Sequence, residues 1–508
     1  MAWIICKYGS GGGGGGDRPD GSTVTPVSDV PTWLRCGGLG SKGYTTLSQI
    51  LSDANTLNGL MSDANAVNYL VRSTSWVSDI TGNQSAMTYI GANDYAAYKL
   101  LSNSTWRTAI CNSTYFESVL NVKVPTMTSN TTPEGLCAYS NAYPNSYWNV
   151  AYKVFDGDTS SNGWLPPQNS TNEYIYYKFK DSECLVMMQI TFAFGSSPIS
   201  PVQFDVIGSN DGVNWVDIAS GESISGSGTV NVQKYYPVST SYKYLGVRNT
   251  NIWIDTNGAH YTGLMGLQFY GRIFGNIQSW LKAGKVDKNY TTLEQVLADS
   301  STLQTLMASS DAVDYLSACG NWADTICANQ SAMNYIGLNN YAANTLLADA
   351  CWCNAIANSA YIESVLNVKV PVMTSNTEPS GEVIYTSTSG TDYPWRAFNP
   401  SIKSGRYVNA NAEGYIGYIF PNPTKVFVAD LHIHSGYYHK EMKLQTSSDG
   451  GNWIDCTDYI NCPINSNVKI TNNKSTLNRY WRVYGRYPQG GHPYVYMSFM
   501  NFYGRQDV

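Results

Sequence analysis

Charge is what this sequence has least of. Asp, Glu, Lys and Arg together supply only 13% of its 508 residues, about half of the roughly 25% that is typical of globular domains. The formal net charge is -6, and no cluster of Lys and Arg follows a helix or strand, so the electrostatic footprint of a nucleic-acid-binding protein is missing. No stretch of about 18 apolar residues occurs, which excludes a membrane-spanning helix.

The chain also lacks the motifs of catalysis and secretion. It has no G-x-S-x-G elbow, no phosphate-binding loop and no H-E-x-x-H zinc motif. Its few acids are spread through turns, where no glycosidase-like pair of carboxylates can be recognised, so we expect a protein that is not an enzyme. The segment Met1–Tyr8 is too short and too poor in basic residues for a signal peptide. We therefore expect release from the cell by lysis or inside an assembled particle.

Tyrosine and glycine are abundant instead, with 39 and 45 copies. A surface that Asn, Ser, Thr and Tyr keep in solution is common in extracellular β-proteins, fibres and virion components. An unbroken glycine run, Gly11 to Gly16, follows the apolar Trp3-Ile-Ile-Cys6, and glycine runs are flexible linkers by default. Two interpretations stay open: a disordered tail, and a short strand that docks into a partner and is tethered by the glycines.

Two long segments of the chain repeat each other. Tyr44-Thr-Thr-Leu47 returns as Tyr290-Thr-Thr-Leu293, an offset of 246 residues (290 − 44). The same offset relates Asn83-Gln-Ser-Ala-Met87 to Asn329-Gln-Ser-Ala-Met333, and Asn121-Val-Lys-Val-Pro125 to Asn367-Val-Lys-Val-Pro371. Since internal repeats decide the fold, the sequence predicts a tandem duplication.

A shorter period of ten residues lies inside the first part of each copy, as in Ser52–Met61 and Ser62–Val71. A continuous helix would rotate its apolar face by roughly 80° per unit, and each unit begins with Ser, Asp or Asn, which are helix N-cap residues. We therefore predict an array of two-turn helices, each capped anew, over residues 44–125 and 290–371. These decapeptides resemble repeats of bacteriophage tail-fibre and other virion proteins.

Segments rich in aromatic and β-branched residues follow each array, and turn clusters separate them, which indicates an all-β sandwich. The first copy contains, in order, Val154-Phe-Asp-Gly-Asp-Thr159, Trp164, Ser209-Asn-Asp-Gly-Val-Asn-Trp215, Tyr242-Lys-Tyr-Leu245 and Leu267-Gln-Phe-Tyr-Gly271. This series resembles the discoidin family, also called coagulation factor 5/8 type C, which includes galactose-binding carbohydrate-binding modules. The resemblance covers roughly residues 137–272 and 383–505, although the second copy reads Ala397-Phe-Asn399-Pro400 in place of the Asp-Gly pair.

The predicted fold class is α+β multidomain, a duplicated unit of a short-helix decapeptide array followed by an antiparallel, jelly-roll, discoidin-like β-sandwich. The predicted domains are an N-terminal anchor and Gly-rich linker (1–30), a first helical module (31–130), a first sandwich (131–274), a second helical module (275–376) and a second sandwich (377–508). The eleven cysteines do not recur as pairs in the two copies, so we interpret them mostly as small buried hydrophobes made in a reducing compartment.

The resemblance implies that sugar platforms lie on variable loops at one end of each sandwich. An exposed ring suits a sugar because the C–H face of a pyranose stacks on it while polar neighbours bond its hydroxyls. The signature residues Trp164, Trp215 and Trp453 are expected to pack instead. The predicted carbohydrate-binding residues are Tyr147, Trp148, Trp253, His260 and Tyr261 in the first copy, and Tyr393, Trp395, Tyr437, Tyr438, His439, His492 and Tyr494 in the second. The alternative for each is packing against a neighbouring subunit.

The resemblance also implies a structural calcium ion near the Asp-Gly turn, with Asp156, Asp158 and Thr159 as oxygen donors. Gly266 stands where the family has an acidic residue, so this donor set is incomplete. No other cofactor is predicted.

The sequence as a whole favours a bacteriophage virion structural protein, a tail fibre, spike or head-decorating fibre made in the host cytoplasm. Its predicted partners are host-surface glycans, other virion proteins bound through the N-terminus, and further copies of the chain in a homo-oligomer; neither nucleic acid nor membrane insertion is expected. One alternative is a purely structural virion protein whose sandwiches make only protein–protein contacts. Another is the accessory part of a secreted glycan-degrading system. The second sandwich holds four of the 5 histidines, so we predict that it is the main ligand-facing module and that residues 1–16 anchor the chain.

Overall fold

The protein is described from a computed structural model. The structure describes residues 28–144, 150–160, 163–195, 198–199, 201–238, 241–258, 260–386, 393–402, 407–408, 413–433, 438–463, 465–489 and 496–506.

Two segments of the described chain are helical. The helices of the first are α1 Val30–Cys36, α2 Leu47–Ser52, α3 Ala54–Ser62, α4 Ala64–Arg72, α5 Val77–Thr81, α6 Gln84–Ala92, α7 Asp94–Ser102 and α8 Ser104–Asn112. The helices of the second are α9 Ile277–Ala283, α10 Leu293–Ala298, α11 Ser300–Ala308, α12 Ser310–Ser317, α13 Ala323–Cys327, α14 Gln330–Leu338, α15 Asn340–Ala348, α16 Ala350–Asn358 and α17 Ile362–Val365.

A single residue ends one helix and begins the next. Asp53 lies between α2 and α3 in an extended conformation, and its carboxylate accepts hydrogen bonds from backbone N–H groups at the start of α3. Asn93 caps α7 and Asn103 caps α8 in the same way. Because such side chains satisfy the unpaired N–H groups of a helix start, the chain turns without a connecting loop. The predicted short, newly capped helices are confirmed, but the ends of the predicted ranges 44–125 and 290–371 are wrong: residues 122–123 and 368–369 are strands that pair with the sandwiches.

The helices stack in rows, each on the helix three places earlier. In the first segment α1, α4 and α7 form one row, α3 and α6 a second, and α5 and α8 a third. The rows of the second segment are α9, α12 and α15, then α11, α14 and α17, then α13 and α16. Since α9 packs directly on α7, the two segments form a continuous solenoid with three helices in each coil, and the first sandwich is inserted between two coils.

Buried apolar residues of both segments form one hydrophobic core. Each decapeptide turns its apolar positions inward, so that Val67 and Leu70 of α4 are fully buried. Tryptophans fill the wider spaces: the ring centroids of Trp33 and Trp76 lie 5.3 Å apart. The matching pair of the second segment, Trp280 and Trp322, lies 5.6 Å apart.

The first sandwich is antiparallel and jelly-roll-like. Its described strands are β1 Val122–Lys123, β2 Leu136–Tyr139, β3 Tyr174–Phe194, β4 Val202–Ser209, β5 Val216–Ile224, β6 Gly228–Tyr235, β7 Ser241–Asn249 and β8 Thr262–Arg272. The long β3 belongs to both sheets: its first half pairs with β2 and β7, and its second half with β6 and β8. The first sheet continues from β7 to β4 and β5, and the second from β8 to β1.

The bend of β3 places a carboxyl group in the interior. Glu183 is fully buried, and neither of its carboxyl oxygens has a hydrogen-bond partner among the described residues. Burial raises the pKa of this group well above its usual range. At the neighbouring Gly271, a Cβ atom would lie only 3.0 Å from the Glu183 carboxyl group.

The second sandwich has the same arrangement. Its described strands are β9 Val368–Lys369, β10 Glu382–Tyr385, β11 Tyr407–Val408, β12 Glu413–Ile433, β13 Tyr438–Ser447, β14 Ile454–Asp455, β15 Ile460–Asn461, β16 Asn467–Thr471, β17 Asn478–Gln489 and β18 Tyr496–Arg505. Here β12 is the long strand, paired with β10 and β17 in its first half and with β16 and β18 in its second.

The cysteines of the described residues form no disulfide. Most of them are buried, as expected for small hydrophobic side chains, and burial raises the pKa of the Cys111 thiol to about 12. Within the same part of the chain, each helix is too short or too polar to cross a lipid bilayer.

Candidate functional site

Loops at one end of the first sandwich converge over a buried aromatic group. Trp164 and Trp253 pack edge to face with ring centroids 5.6 Å apart, and Phe192 lies 5.2 Å from Trp253. Trp253 is fully buried, and its indole N–H donates to the carbonyl oxygen of Gln203 at 3.2 Å. The prediction that Trp253 is an exposed sugar platform is therefore wrong, because its ring closes the end of the core beneath the loops.

An exposed histidine and carboxylate lie above this group. His260 Nδ1 is 2.7 Å from Asp255 Oδ2, with 55% of the histidine side chain and 29% of the aspartate side chain exposed. A tight turn fixes the pair: Asp255 N–H donates to the His260 carbonyl oxygen, and Gly258 N–H donates to the Asp255 carbonyl oxygen, both at 3.1 Å. Gly258 has a φ of 66°, a conformation that costs glycine little.

A half-buried tyrosine, Tyr261, follows His260 directly in the chain. Tyr261 lies against Gly195, where a Cβ atom would come within 2.7 Å of the ring carbon Cζ. On the other side of the turn, Asn169 Nδ2 donates to the hydroxyl of Thr256 at 2.6 Å. We define the loop-end group as Asn169, Asp255, Thr256, His260 and Tyr261. It comprises an aromatic residue and several hydrogen-bonding side chains on loops of one sandwich, which is the combination of residue types that a pyranose requires.

Sequence reasoning found His260 and Tyr261 of this group but missed its other members. Asp255 and Thr256 precede the predicted pair in one turn, and Asn169 comes from a distant loop. Loop aspartates and asparagines are too common for their identity alone to indicate a site. The one local feature that could have indicated the pair is the position of Asp255 and His260 on either side of a glycine, which is typical of a tight turn.

In the second sandwich, the predicted Tyr393 and Trp395 lie near an arginine. The guanidinium carbon of Arg396 lies 5.0 Å from the Tyr393 ring centroid and 5.8 Å from that of Trp395. Tyr393 is 49% exposed, whereas Trp395 packs partly against the core. Arg396 Nε has no hydrogen-bond partner among the described residues.

The first sandwich carries a neutralised cation at the matching position. There Lys153 lies 3.1 Å from the carboxylate of Asp156. The second sandwich has Asn399 in place of this acid, and Asn399 is buried with its side-chain amide donating to a backbone carbonyl. Within the described part of the chain, Arg396 therefore has no equivalent of the Asp156 carboxylate that pairs with Lys153.

The other predicted sugar contacts stay predictions. Tyr147, Trp148, Tyr437, His492 and Tyr494 lie outside the described residues. Tyr438 and His439 lie at the start of β13, where their backbones pair with β17.

The Asp-Gly turn does not fit the expected calcium ion. Asp156 is paired with Lys153, and Asp158 accepts hydrogen bonds within the turn, from the backbone N–H and the hydroxyl two residues on. At Gly266, a Cβ atom would come within 2.8 Å of the methyl carbon of Thr159. A calcium ion needs six to eight oxygen ligands, and here a methyl group lies where the family's acid is missing. The expectation of calcium at Asp156, Asp158 and Thr159 is therefore corrected: hydrogen bonds and an ion pair hold this turn.

The signature tryptophans pack, as predicted. Trp164 is fully buried. Trp215 contacts Tyr174 and Tyr176, with ring centroids 5.1 and 5.3 Å away. Trp453 packs against the guanidinium group of Arg482, whose Cζ lies 3.8 Å from the Trp453 ring centroid.

Comparison with known proteins gives one family match and several distant structural likenesses. No curated protein matches the chain. A chitosan-binding module from a chitosanase/glucanase of Paenibacillus sp. IK-5 is 22% identical, covers 24% of this chain and 95% of its own, and has a TM-score of 0.22. A fucolectin from striped bass (Morone saxatilis) serum is 11% identical over 75% of this chain and 99% of its own, with a TM-score of 0.22.

Two carbohydrate-binding modules of Clostridium perfringens ZmpB, in complex with GalNAc, are 12% identical over 73% of this chain and 89% of their own, with a TM-score of 0.24. At these TM-scores the likenesses support no conclusion about this chain. The family match is independent of them: residues 137–264, which span most of the first sandwich, match the F5/8 type C domain.

Proposed function

We propose that this chain is a non-enzymatic bacteriophage virion protein that binds host-surface glycans through its sandwiches. The observation that carries the glycan-binding part is the loop-end group, on the sandwich that matches the F5/8 type C domain. In this proposal a pyranose stacks on the Tyr261 ring, and its hydroxyls are bound by the Asp255 carboxylate, an acceptor, and by the exposed His260 ring.

The virion part of the proposal is supported by the sequence. The decapeptides resemble those of virion fibres, and the surface is poor in charge. We infer that the chain arose by duplication, since α3 begins at Ala54 and α11 at Ser300, 246 residues later (300 − 54). In this proposal the solenoid is a rigid support, residues 1–16 anchor it to the particle, and the sandwiches face outward.

A glycan array probed with the full chain tests the binding function. We expect sugar-specific signals that His260→Ala and Tyr261→Ala each weaken about tenfold, which corresponds to roughly 1.4 kcal/mol. Val213→Ala is the matched control, because Val213 is 67% exposed in the turn at the opposite end of β4. An array without sugar-specific signals would instead favour the alternative, a purely structural protein whose sandwiches contact only other proteins.

Incorporation into particles tests the virion part. Removing residues 1–16 is expected to abolish incorporation while leaving the circular dichroism of the solenoid unchanged. Truncated protein that still enters particles would contradict the anchoring role.

A further inference from the structure

Helix α15 is the last helix of the row that runs through α1, α4, α7, α9 and α12. Its outer surface corresponds to the surface of α7 that later helices of the same chain cover. Tyr341 of α15 is the counterpart of Tyr95 of α7, 246 residues later (341 − 95). The two tyrosines point the same way: Tyr95 donates to Asn68 Oδ1 at 3.0 Å, and Tyr341 donates to Asp314 Oδ1 at 2.5 Å. Yet Tyr95 is 2% exposed and Tyr341 is 48% exposed.

The helices that follow α7 in the solenoid provide the contacts on its outer side. Lys99 of α7 lies 2.6 Å from Asp311 of α12. Lys282 of α9 donates from Nζ to the carbonyl oxygen of Ser62, at the end of α3, at 3.0 Å. The interface joins two different surfaces, the α7 side of one segment and the α9–α12 side of the next.

The counterparts of α9 and α12 are α1 and α4, at the opposite end of the solenoid. Trp33-Leu-Arg35 of α1 matches Trp280-Leu-Lys282 of α9, and the Arg35 side chain is 64% exposed. The ion pair of the internal interface, Lys99 with Asp311, has neutral counterparts at both ends of the solenoid. Thr345 on α15 corresponds to Lys99, and Asn65 on α4 corresponds to Asp311. Joining these two ends therefore buries no unpaired charge at this position, which would otherwise oppose association.

We propose that α15 of one chain binds α1 and α4 of a second copy, so that the solenoid continues head to tail between chains. The contact is not self-complementary, and such contacts generate rings or open filaments. This proposal is independent of glycan binding, because the helices involved lie outside both sandwiches.

The contact between chains is expected to be weaker than the internal one. Inside the chain, Tyr98 of α7 packs edge to face against Phe274, with ring centroids 5.7 Å apart, whereas α15 has Asn344 at the place of Tyr98. Leu338, which is 81% exposed and lies three residues before Tyr341, adds apolar surface at the rim. These features fit a reversible, concentration-dependent association.

Analytical ultracentrifugation of the full chain over a range of concentrations tests the proposal with two blocked variants. One variant carries Leu338→Glu at the end of α14 and Tyr341→Glu on α15, and the other carries Arg35→Glu on α1 and Asn65→Glu on α4. The matched control carries Ile454→Glu and Leu477→Glu on the second sandwich, where these residues are 66% and 50% exposed.

We expect the unaltered chain and the control to associate as concentration rises, and each blocked variant alone to stay monomeric. An equimolar mixture of the two blocked variants should form a dimer and nothing larger, since each contributes one intact surface. That mixture also shows that both variants are folded. The proposal is overturned if the unaltered chain stays monomeric, if the α1–α4 variant associates like the unaltered chain, or if the mixture forms no dimer.

Discussion

Arg272 and Asp94 join the first sandwich to the solenoid. Nη2 of Arg272, the last residue of β8, lies 2.5 Å from Oδ1 of Asp94, the first residue of α7. The same guanidinium donates to the carbonyl oxygen of Val119 at 2.6 Å. The second sandwich repeats the contact with a neutral acceptor: Arg505 donates to Asn340 Oδ1 at 2.9 Å. In both sandwiches the end of the last strand is fixed to the start of a helix.

This ion pair predicts that substitutions of Arg272 and of Asp94 lower the free energy of unfolding by different amounts. We expect Arg272→Met to lower the free energy of unfolding by on the order of 3 kcal/mol, because it leaves the mostly buried Asp94 carboxylate without its cation. Asp94→Asn should cost about 1 kcal/mol or less, because the amide oxygen still accepts a hydrogen bond, as Asn340 does. Urea-induced unfolding measures both. Equal losses would show that the charge of Asp94 matters more than its hydrogen-bond geometry.

Acid should weaken the helical arrays through their aspartate caps. The hydroxyl and backbone N–H of Thr56, with Tyr44 and Lys42, hold the pKa of the Asp53 carboxyl well below its usual range. A folded-state pKa below the unfolded one contributes stability above about pH 4, and this stability is lost as the pH falls through the folded pKa. Asp53→Asn keeps a capping side chain but does not titrate. Melting temperatures below about pH 4 should therefore fall less for Asp53→Asn than for the unaltered chain, and parallel curves would contradict this.

Buried Glu183 should make the folded state less stable as the pH rises, whereas Asp53 makes it less stable as the pH falls. Above the ordinary carboxyl pKa of about 4.3, the unfolded chain loses its proton, while buried Glu183 keeps it in the folded state. The contribution of Glu183 to the free energy of unfolding therefore falls as the pH rises from about 5 towards the raised folded pKa. Glu183→Gln should remove this slope and raise the melting temperature at neutral pH. The exposed Glu134→Gln is the control, and an unchanged slope in Glu183→Gln would show that Glu183 is not the titrating group.

The arginine of the second sandwich predicts a preference for acidic sugars. Arg396 lies near the rings of Tyr393 and Trp395, and Asn399 stands at the position of Asp156, which neutralises Lys153 in the first sandwich. We expect Arg396→Gln to lower binding of carboxylated or sulfated glycans about tenfold, a loss of roughly 1.4 kcal/mol, on an array probed with the full chain. Lys153→Gln, which removes a cation already paired with an acid, should leave those signals unchanged. Equal effects of the two variants would argue against a ligand on Arg396.

The short helices were predictable because their signals are local. A cap residue and the apolar positions that follow it lie within ten residues, so the sequence alone determines where each helix begins and which side it buries. The continuation of the solenoid from α7 to α9 was not predictable, because the inserted sandwich separates the partners. Lys99 and Asp311 lie 212 residues apart, and no local pattern indicates that they meet.

The same distinction explains the candidate site. The sequence predicted His260 and Tyr261 as sugar contacts because the family resemblance implies that such contacts lie on loops at one end of the sandwich. It misplaced Trp253, since a tryptophan near a turn lies on the outside or closes the core depending on how the two sheets pack. Arg396 was missed because the replacement of Asp156 by Asn399 matters only once the structure shows that Asp156 is paired with Lys153.

The shared cap residues restrict how the distance between the two sandwiches can change. With one residue ending a helix and beginning the next, no loop is present to absorb an insertion, and one extra residue would turn the following helix by about 100°. Loss or gain of a single ten-residue helix would put each later helix in the wrong row. Only the insertion or deletion of a whole coil of three helices keeps each later helix in its row. One added coil would move the sandwiches apart by about 10 Å, the usual spacing of packed helices. Length variants of this protein should therefore differ by multiples of about thirty residues, each a discrete increment in spacing.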